Sequence, residues 1–102
     1  MKRTYIPYVA DWPALACSES WELVSAEVEN ATKKFPKWPT DPLHALAILG
    51  EEFGELTKEV VQMIYEPNKT STAKIREEAI QTAAMAIRFV MSLDSYCYLQ
   101  AP

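Results

Sequence analysis

The sequence predicts an all-α protein, an antiparallel helical bundle completed by oligomerisation. Three observations predict it. Only two glycines occur in 102 residues, and long stretches rich in Ala, Leu, Glu and Ile favour helix. Apolar residues recur at three- and four-residue steps in separate segments. The last of these segments is apolar on almost every side, so it must be buried among neighbours that so short a chain struggles to supply alone.

Residues 1–17 read as an extended N-terminal arm. Pro7 and Pro13 interrupt helix there, and Tyr5, Tyr8 and Trp12 suit packing on the body or on a neighbouring subunit. The helical domain is expected over 18–102. Its first helix starts near Ser18 or Ser20, either a good N-cap, and runs to about Lys34. Trp21, Val24, Val28, Ala31 and Phe35 form one apolar seam along it. The loop 35–40 is stiffened by Pro36 and Pro39.

Asp41-Pro42 opens the second helix, with Asp as N-cap and Pro at the first helical position. That helix runs to about Tyr65, where Pro67-Asn68 follows. Leu46, Leu49, Phe53, Leu56, Val60 and Met63 are its expected core stripe. Glu51, Glu52, Glu55 and Glu59 fall together on an arc roughly opposite. Glu51/Glu55 and Glu55/Glu59 are like-charge pairs four apart, each costing about 0.2–0.5 kcal/mol. Spacing that repels itself suggests that a cation belongs there. Ile48 sits within the arc, His44 lies one turn before it, and the small residues Ala47, Gly50 and Gly54 run beside it. The arc is therefore not expected to be simply solvated.

Thr70-Ser71-Thr72 supplies caps for a third helix, expected over 72–98. Glu78 and Gln81 share a side at its front end, with Met85 and Phe89 following on that side. A carboxylate entering a buried surface needs a partner. The acidic arc serves only if a cation lies between.

The net charge of −4, with no basic block, argues against a nucleic-acid polymer as partner. Cys17 and Cys97 are too sparse for a zinc site or a redox pair and read as reduced thiols of a cytoplasmic protein. The N-terminus lacks the apolar run of a signal peptide, and no segment reads as a membrane span. Carboxylates on two adjacent helices, without thiolate ligands, form a hard-oxygen donor set. It suits Mg²⁺ or Mn²⁺ beside a phosphorylated substrate.

Glu51-Glu52-Phe53-Gly54-Glu55, followed by Glu78-Ala79-Ile80-Gln81, resembles the E-E-x-x-E…E-x-x-D signature of the MazG-like nucleoside triphosphate pyrophosphohydrolases. The resemblance spans roughly residues 20–95. It implies an all-α bundle of MazG type, acting as a homodimer or tetramer. It also implies cleavage of a nucleoside triphosphate between its α and β phosphates, in the manner of enzymes that cleanse nucleotide pools. By position, Glu52, Glu55 and Glu78 would be ligands of Mg²⁺ or Mn²⁺. Glu51 would be a further ligand or would orient the attacking water, and Glu51 and Glu52 together would carry catalysis. Gln81 departs from the pattern, which has Asp there. Its amide oxygen can still face the metal or a ligating water, with one charge fewer.

The substrate pocket is not fixed by the motif. Trp38, His44, Met85 and Phe89 are candidates for the base by position and type. Lys37, Lys69, Lys74 and Arg88 are candidates for the phosphates. Each has a plainer alternative: packing for Trp38, a cap or core position for His44, an ion pair for Arg88. Two functional classes stand: a pyrophosphohydrolase, and a MazG-like module that binds nucleotide or dimerises with little or no turnover. Retention of the four glutamates favours the first; Gln81 keeps the second.

Overall fold

The computed structural model describes residues 14–98. They form three α-helices: α1 (Ala14–Lys34), α2 (Pro42–Tyr65) and α3 (Thr72–Met91). Short 3₁₀ turns follow α2 at Pro67–Lys69 and α3 at Leu93–Ser95. No strand occurs among the described residues. The class is all-α, as the glycine-poor sequence predicts.

The predicted boundaries hold best where a cap is written into the sequence. Asp41 caps α2 by accepting the Leu43 backbone N–H at 2.9 Å, and Pro42 follows at the first helical position. Ser71 caps α3, its hydroxyl accepting the Lys74 N–H at 3.1 Å. Two expectations are corrected. α1 begins at Ala14, before Ser18 and Ser20, so residues 14–17 belong to the helix rather than to the arm. The rest of the expected arm, 1–13, lies outside the described residues. α3 ends at Met91 rather than near 98. There the chain turns back: the Tyr96 hydroxyl donates to the Phe89 carbonyl at 3.1 Å, and the Cys97 N–H donates to the Thr40 carbonyl at 2.8 Å. These bonds pin the tail across the start of α2, which a continued helix could not do.

α3 is the centre of the fold. α1 and α2 both pack on it, while their own backbones do not approach each other. α1 runs parallel to α3: Ala31 clusters with Ala84 and Met85, and one turn on, Arg88 donates to the Phe35 carbonyl at 2.7 Å. α2 runs antiparallel to α3, with Glu59 bonded by Thr70 at one end and Thr40 tied to Cys97 at the other. The result is an up-down-up arrangement with a gap between α1 and α2.

The face that α2 presents to α3 differs from the expected stripe. Ala45, Ile48, Leu49, Glu52, Leu56, Glu59 and Met63 turn inward, while Leu46, Phe53 and Val60 are 52%, 60% and 40% exposed. The inward set follows the same three- and four-residue ladder, displaced round the helix. Two glutamates can sit on it because they are accommodated there. The Thr70 hydroxyl donates to the buried Glu59 carboxylate, and Glu52 borders a cleft. Apolarity alone could not reveal this. The α1 seam divides likewise: Ala31 is buried and Val24 and Val28 are half-buried, while Trp21 and Phe35 are exposed.

The core is small. Its buried apolar residues among those described are Ala31, Ala45, Ala84, Met85 and Tyr96, and no large side chain is fully enclosed. Leu43, Leu46, Phe53, Val60, Val61 and Ile64 leave α2 with an outer apolar face.

Candidate functional site

The gap between α1 and α2 is a cleft of about 540 Å³ floored by α3. Its position follows from the packing, since two helices that meet a third without meeting each other leave a trough above it. α1 contributes Glu27, Ala31 and Lys34 to the wall; α2 contributes His44, Ile48, Glu51 and Glu52. Gln81, Met85 and Arg88 of α3 form the floor, and the loop with Lys37 and Trp38 closes one end.

The cleft is charged oppositely at its two ends. At one end stand Glu27, Glu51, Glu52 and the Gln81 amide; at the other stand Lys34, Lys37 and Arg88. Burial holds the Glu52 carboxyl above its ordinary value, and the negative charges of Glu78, Glu55, Glu51 and Glu27, in that order, raise it further. Five carboxylates from three helices therefore share one field, with no cation among the groups that act on Glu52.

The cationic end is built more rigidly. The Trp38 indole N–H donates to the Tyr96 hydroxyl at 2.8 Å, and the Tyr96 ring packs on Phe89 with ring centres 5.1 Å apart and the planes tilted by 45°. The Arg88 guanidinium lies 4.8 Å from the Trp38 ring centre, a cation–π distance. Arg88 is 7% exposed and makes no ion pair among the described residues, so the expected ion-pair partner is replaced by an aromatic face and the Phe35 carbonyl. Burial lowers its affinity for its proton, yet guanidinium stays charged. A buried cation without a counter-charge, opening on a cleft, suits an anion or a hydrogen-bond acceptor.

Of the residues singled out in the sequence, Lys37, Trp38, His44, Glu51, Glu52, Gln81, Met85 and Arg88 line this cleft, as does Ile48. Glu55 is exposed on α2 beside it. Glu78 is buried and acts on Glu52 through its charge, but its carboxylate also meets the Lys74 ammonium at 3.4 Å. Lys74 lies 3.7 Å from Glu77 as well, and these carboxylates hold its proton more tightly than usual. Lys74 is thus the local partner of buried Glu78 and is not part of the cleft wall. Lys69 pairs with Glu66 at 2.7 Å. Phe89 serves the Tyr96 stack. His44 is exposed at the rim, so it is not a core histidine.

Among the described residues, no three His, Cys, Asp or Glu side chains converge closely enough to grip one ion as they stand. The donor chemistry nevertheless fits a hard divalent cation. Every donor is an oxygen, and the repulsion written into Glu52 is what such an ion would relieve.

Sequence reasoning missed Glu27, Tyr96 and Lys34. Glu27 had a signal, because it sits on the inward ladder Val24, Glu27, Val28, Ala31, where a packed helix face ordinarily carries an apolar residue. Tyr96 was hidden by extending α3 through it.

Comparisons with protein-family models, curated proteins and solved structures find no match.

Proposed function

We propose that the protein is a metal-dependent nucleoside triphosphate pyrophosphohydrolase of MazG-like type, releasing pyrophosphate and a nucleoside monophosphate. The observation that carries this reading is the cleft that unites an acidic end, Glu51 and Glu52 with Gln81, with an aromatic and cationic end, Trp38 with Arg88. A nucleotide has both complements: phosphates that reach carboxylates through a divalent ion, and a base that offers a π-face and hydrogen-bond acceptors.

In this account Mg²⁺ or Mn²⁺, when bound, neutralises the phosphate oxygens and polarises the bond to be broken. Glu51, Glu52, Glu55 and Glu78 supply its charged ligands, with the Gln81 amide beside them. Glu51 and Glu55 are exposed side chains free to turn toward it. Glu52 has a carboxyl raised by burial and by its neighbours, which makes it the stronger base for taking a proton from water. Trp38 is held by Tyr96 and packs against one side of Arg88. This fixed pair, with Met85 beneath, orients the base. Of the lysines considered for the phosphates, Lys37 lines the cleft, with Lys34 beside it, whereas Lys69 and Lys74 are engaged elsewhere.

A second copy of the chain completes the bundle in the same account. The outer apolar face of α2 and the scarcity of enclosed side chains support this. No helix among the described residues is long and apolar enough to cross a membrane, so the exposed apolar face is not that of a membrane span.

The test is incubation with Mg²⁺ or Mn²⁺ and a panel of ribo- and deoxynucleoside triphosphates, measuring pyrophosphate and monophosphate. Glu52→Gln and Glu78→Gln serve as controls. Metal-dependent release lost in both supports the enzyme. Absence of release, with nucleotide still raising the melting temperature, favours the second reading, a nucleotide-binding module disabled around Gln81.

A further inference from the structure

The only two glycines of the chain, Gly50 and Gly54, stand in the middle of α2. Nothing within the chain calls for them. Neither has positive φ, and a Cβ built on either would meet no neighbour within 4 Å. Glycine there weakens the helix relative to alanine, and what it offers in return is close approach of another backbone. We propose that α2 pairs antiparallel with α2 of a second copy, so that Ala47, Gly50 and Gly54 of each copy receive the partner's Ile64, the partner's Val61 and the partner's Thr57. This inference rests on the reading that a second copy covers the outer face of α2. It adds the register of the pair, and it brings a cation of one copy to the acidic rim of the other's cleft.

Residue size sets the register. Ala47, Gly50, Gly54, Thr57, Val61 and Ile64 follow alternating three- and four-residue steps, so they form one seam. All six are exposed, on the side of α2 turned away from α3. The first three are small and the last three are β-branched. Antiparallel pairing therefore sets every small residue against a branched one, and the two-fold axis repeats each contact. Parallel pairing would set glycine on glycine at one end and Ile64 on Ile64 at the other, open in one place and crowded in the next. Thr57 suits an apolar contact, because its hydroxyl already donates to the Phe53 carbonyl at 2.9 Å.

Charge selects the same register. Lys58 is the only Lys or Arg of α2, is exposed, and makes no ion pair among the described residues. Glu51 lies two turns before it on the same flank of the seam, exposed and at the cleft wall. In an antiparallel pair this flank meets the same flank of the other copy. Setting Gly54 against the partner's Thr57 leaves Lys58 within two residues of rise, about 3 Å along the axis, of the partner's Glu51. Two such ion pairs form per dimer, and each places an ammonium beside a glutamate of the cleft. The opposite flank carries Leu46, Phe53 and Val60, so large exposed apolar side chains meet their own kind there.

The experiment measures the self-association of the full chain by sedimentation velocity over a concentration series. Four proteins are compared: wild type, Lys58→Glu, Glu51→Lys, and the two changes in one chain. Both positions are exposed, and the circular dichroism of each variant reports that it folds. Either single change turns both interchain pairs repulsive, and the dimer Kd should rise about tenfold. Glu51→Lys reduces the net negative charge, so net charge alone would tighten its dimer instead. The combined variant restores opposite charges across the seam and should dimerise as wild type does. Single variants with wild-type Kd, or a combined variant no tighter than either, would overturn the inference while a persisting wild-type dimer keeps the second-copy reading. A wild-type chain that is monomeric at every concentration would overturn both.

Discussion

The guanidinium of Arg88 lies 4.8 Å from the centre of the Trp38 ring, although the two residues stand 50 positions apart in sequence. The contact joins the loop after α1 to the last turns of α3, and the Trp38–Tyr96 hydrogen bond extends it into the tail. The loop after α1, the end of α3 and the tail that follows it thus meet at the cationic end of the cleft. Arg88→Met should remove the cation–π contact and the bond to the Phe35 carbonyl together, costing about 1–3 kcal/mol of stability. Arg88→Lys should recover little of this, because ammonium lacks the flat guanidinium that stacks on indole. Chemical denaturation of the two variants checks the order.

Glu59 is buried, and the Thr70 hydroxyl donates to it. Thr70→Val keeps the shape and removes the donor. The expected loss is about 1–3 kcal/mol, the cost of an inward carboxylate deprived of a hydrogen bond. Glu59→Gln should be milder, since the amide sheds the charge and still accepts the bond. A thermal melt of each distinguishes them.

Burial, then Glu78, Glu55, Glu51 and Glu27, hold the Glu52 carboxyl above its ordinary value of 4.5. A raised carboxyl binds its proton more tightly in the folded chain than in the unfolded one. Its contribution is destabilising above the raised value and fades as pH falls through that value toward 4.5. Glu52→Gln should therefore raise the metal-free melting temperature at neutral pH, and the gain should shrink as pH falls toward about 5. Melts across that range with a chelator present make the comparison. A gain independent of pH would assign the effect to something other than this charge.

Much of the fold was legible because its signals are local. Asp41-Pro42 and Ser71 state where α2 and α3 begin, and the three-four ladder states where helix exists. Which face turns inward is not local. Leu46 and Phe53 are as apolar as any core residue, yet they lie outside, while Glu52 and Glu59 lie inside because a cleft and Thr70 receive them. Of the glutamates Glu51, Glu52, Glu55 and Glu78, the first two line the cleft. Glu27 sits on the inward ladder of α1, but that it faces the cleft rather than α3 depends on how α1 packs on α3, a relation between segments.

Gly50 and Gly54 lie inside α2, where a Cβ at either would meet nothing within 4 Å. Neither has positive φ. Within one chain, Gly50→Ala should stabilise the helix by about 0.8–1 kcal/mol. If a second copy packs against α2 there, the methyl group should instead weaken association. Phe53→Asp, on the outer apolar face, should favour the monomer while leaving the cleft residues in place. Sedimentation velocity of the two variants beside wild type reads both effects.

The central claim is hydrolysis of a nucleoside triphosphate between its α and β phosphates in the cleft that holds Glu52 and Arg88. The most direct test is turnover in water enriched in heavy oxygen, with Mg²⁺ or Mn²⁺, followed by mass analysis of the products. Attack at the α phosphorus places the label in the nucleoside monophosphate and leaves pyrophosphate unlabelled. Attack at the β phosphorus places it in pyrophosphate, and the appearance of orthophosphate with nucleoside diphosphate signals cleavage of the β–γ bond. The account predicts label in the monophosphate, dependent on metal and absent with Glu52→Gln. Label in any other product, or no turnover above that variant with any nucleotide, would contradict it.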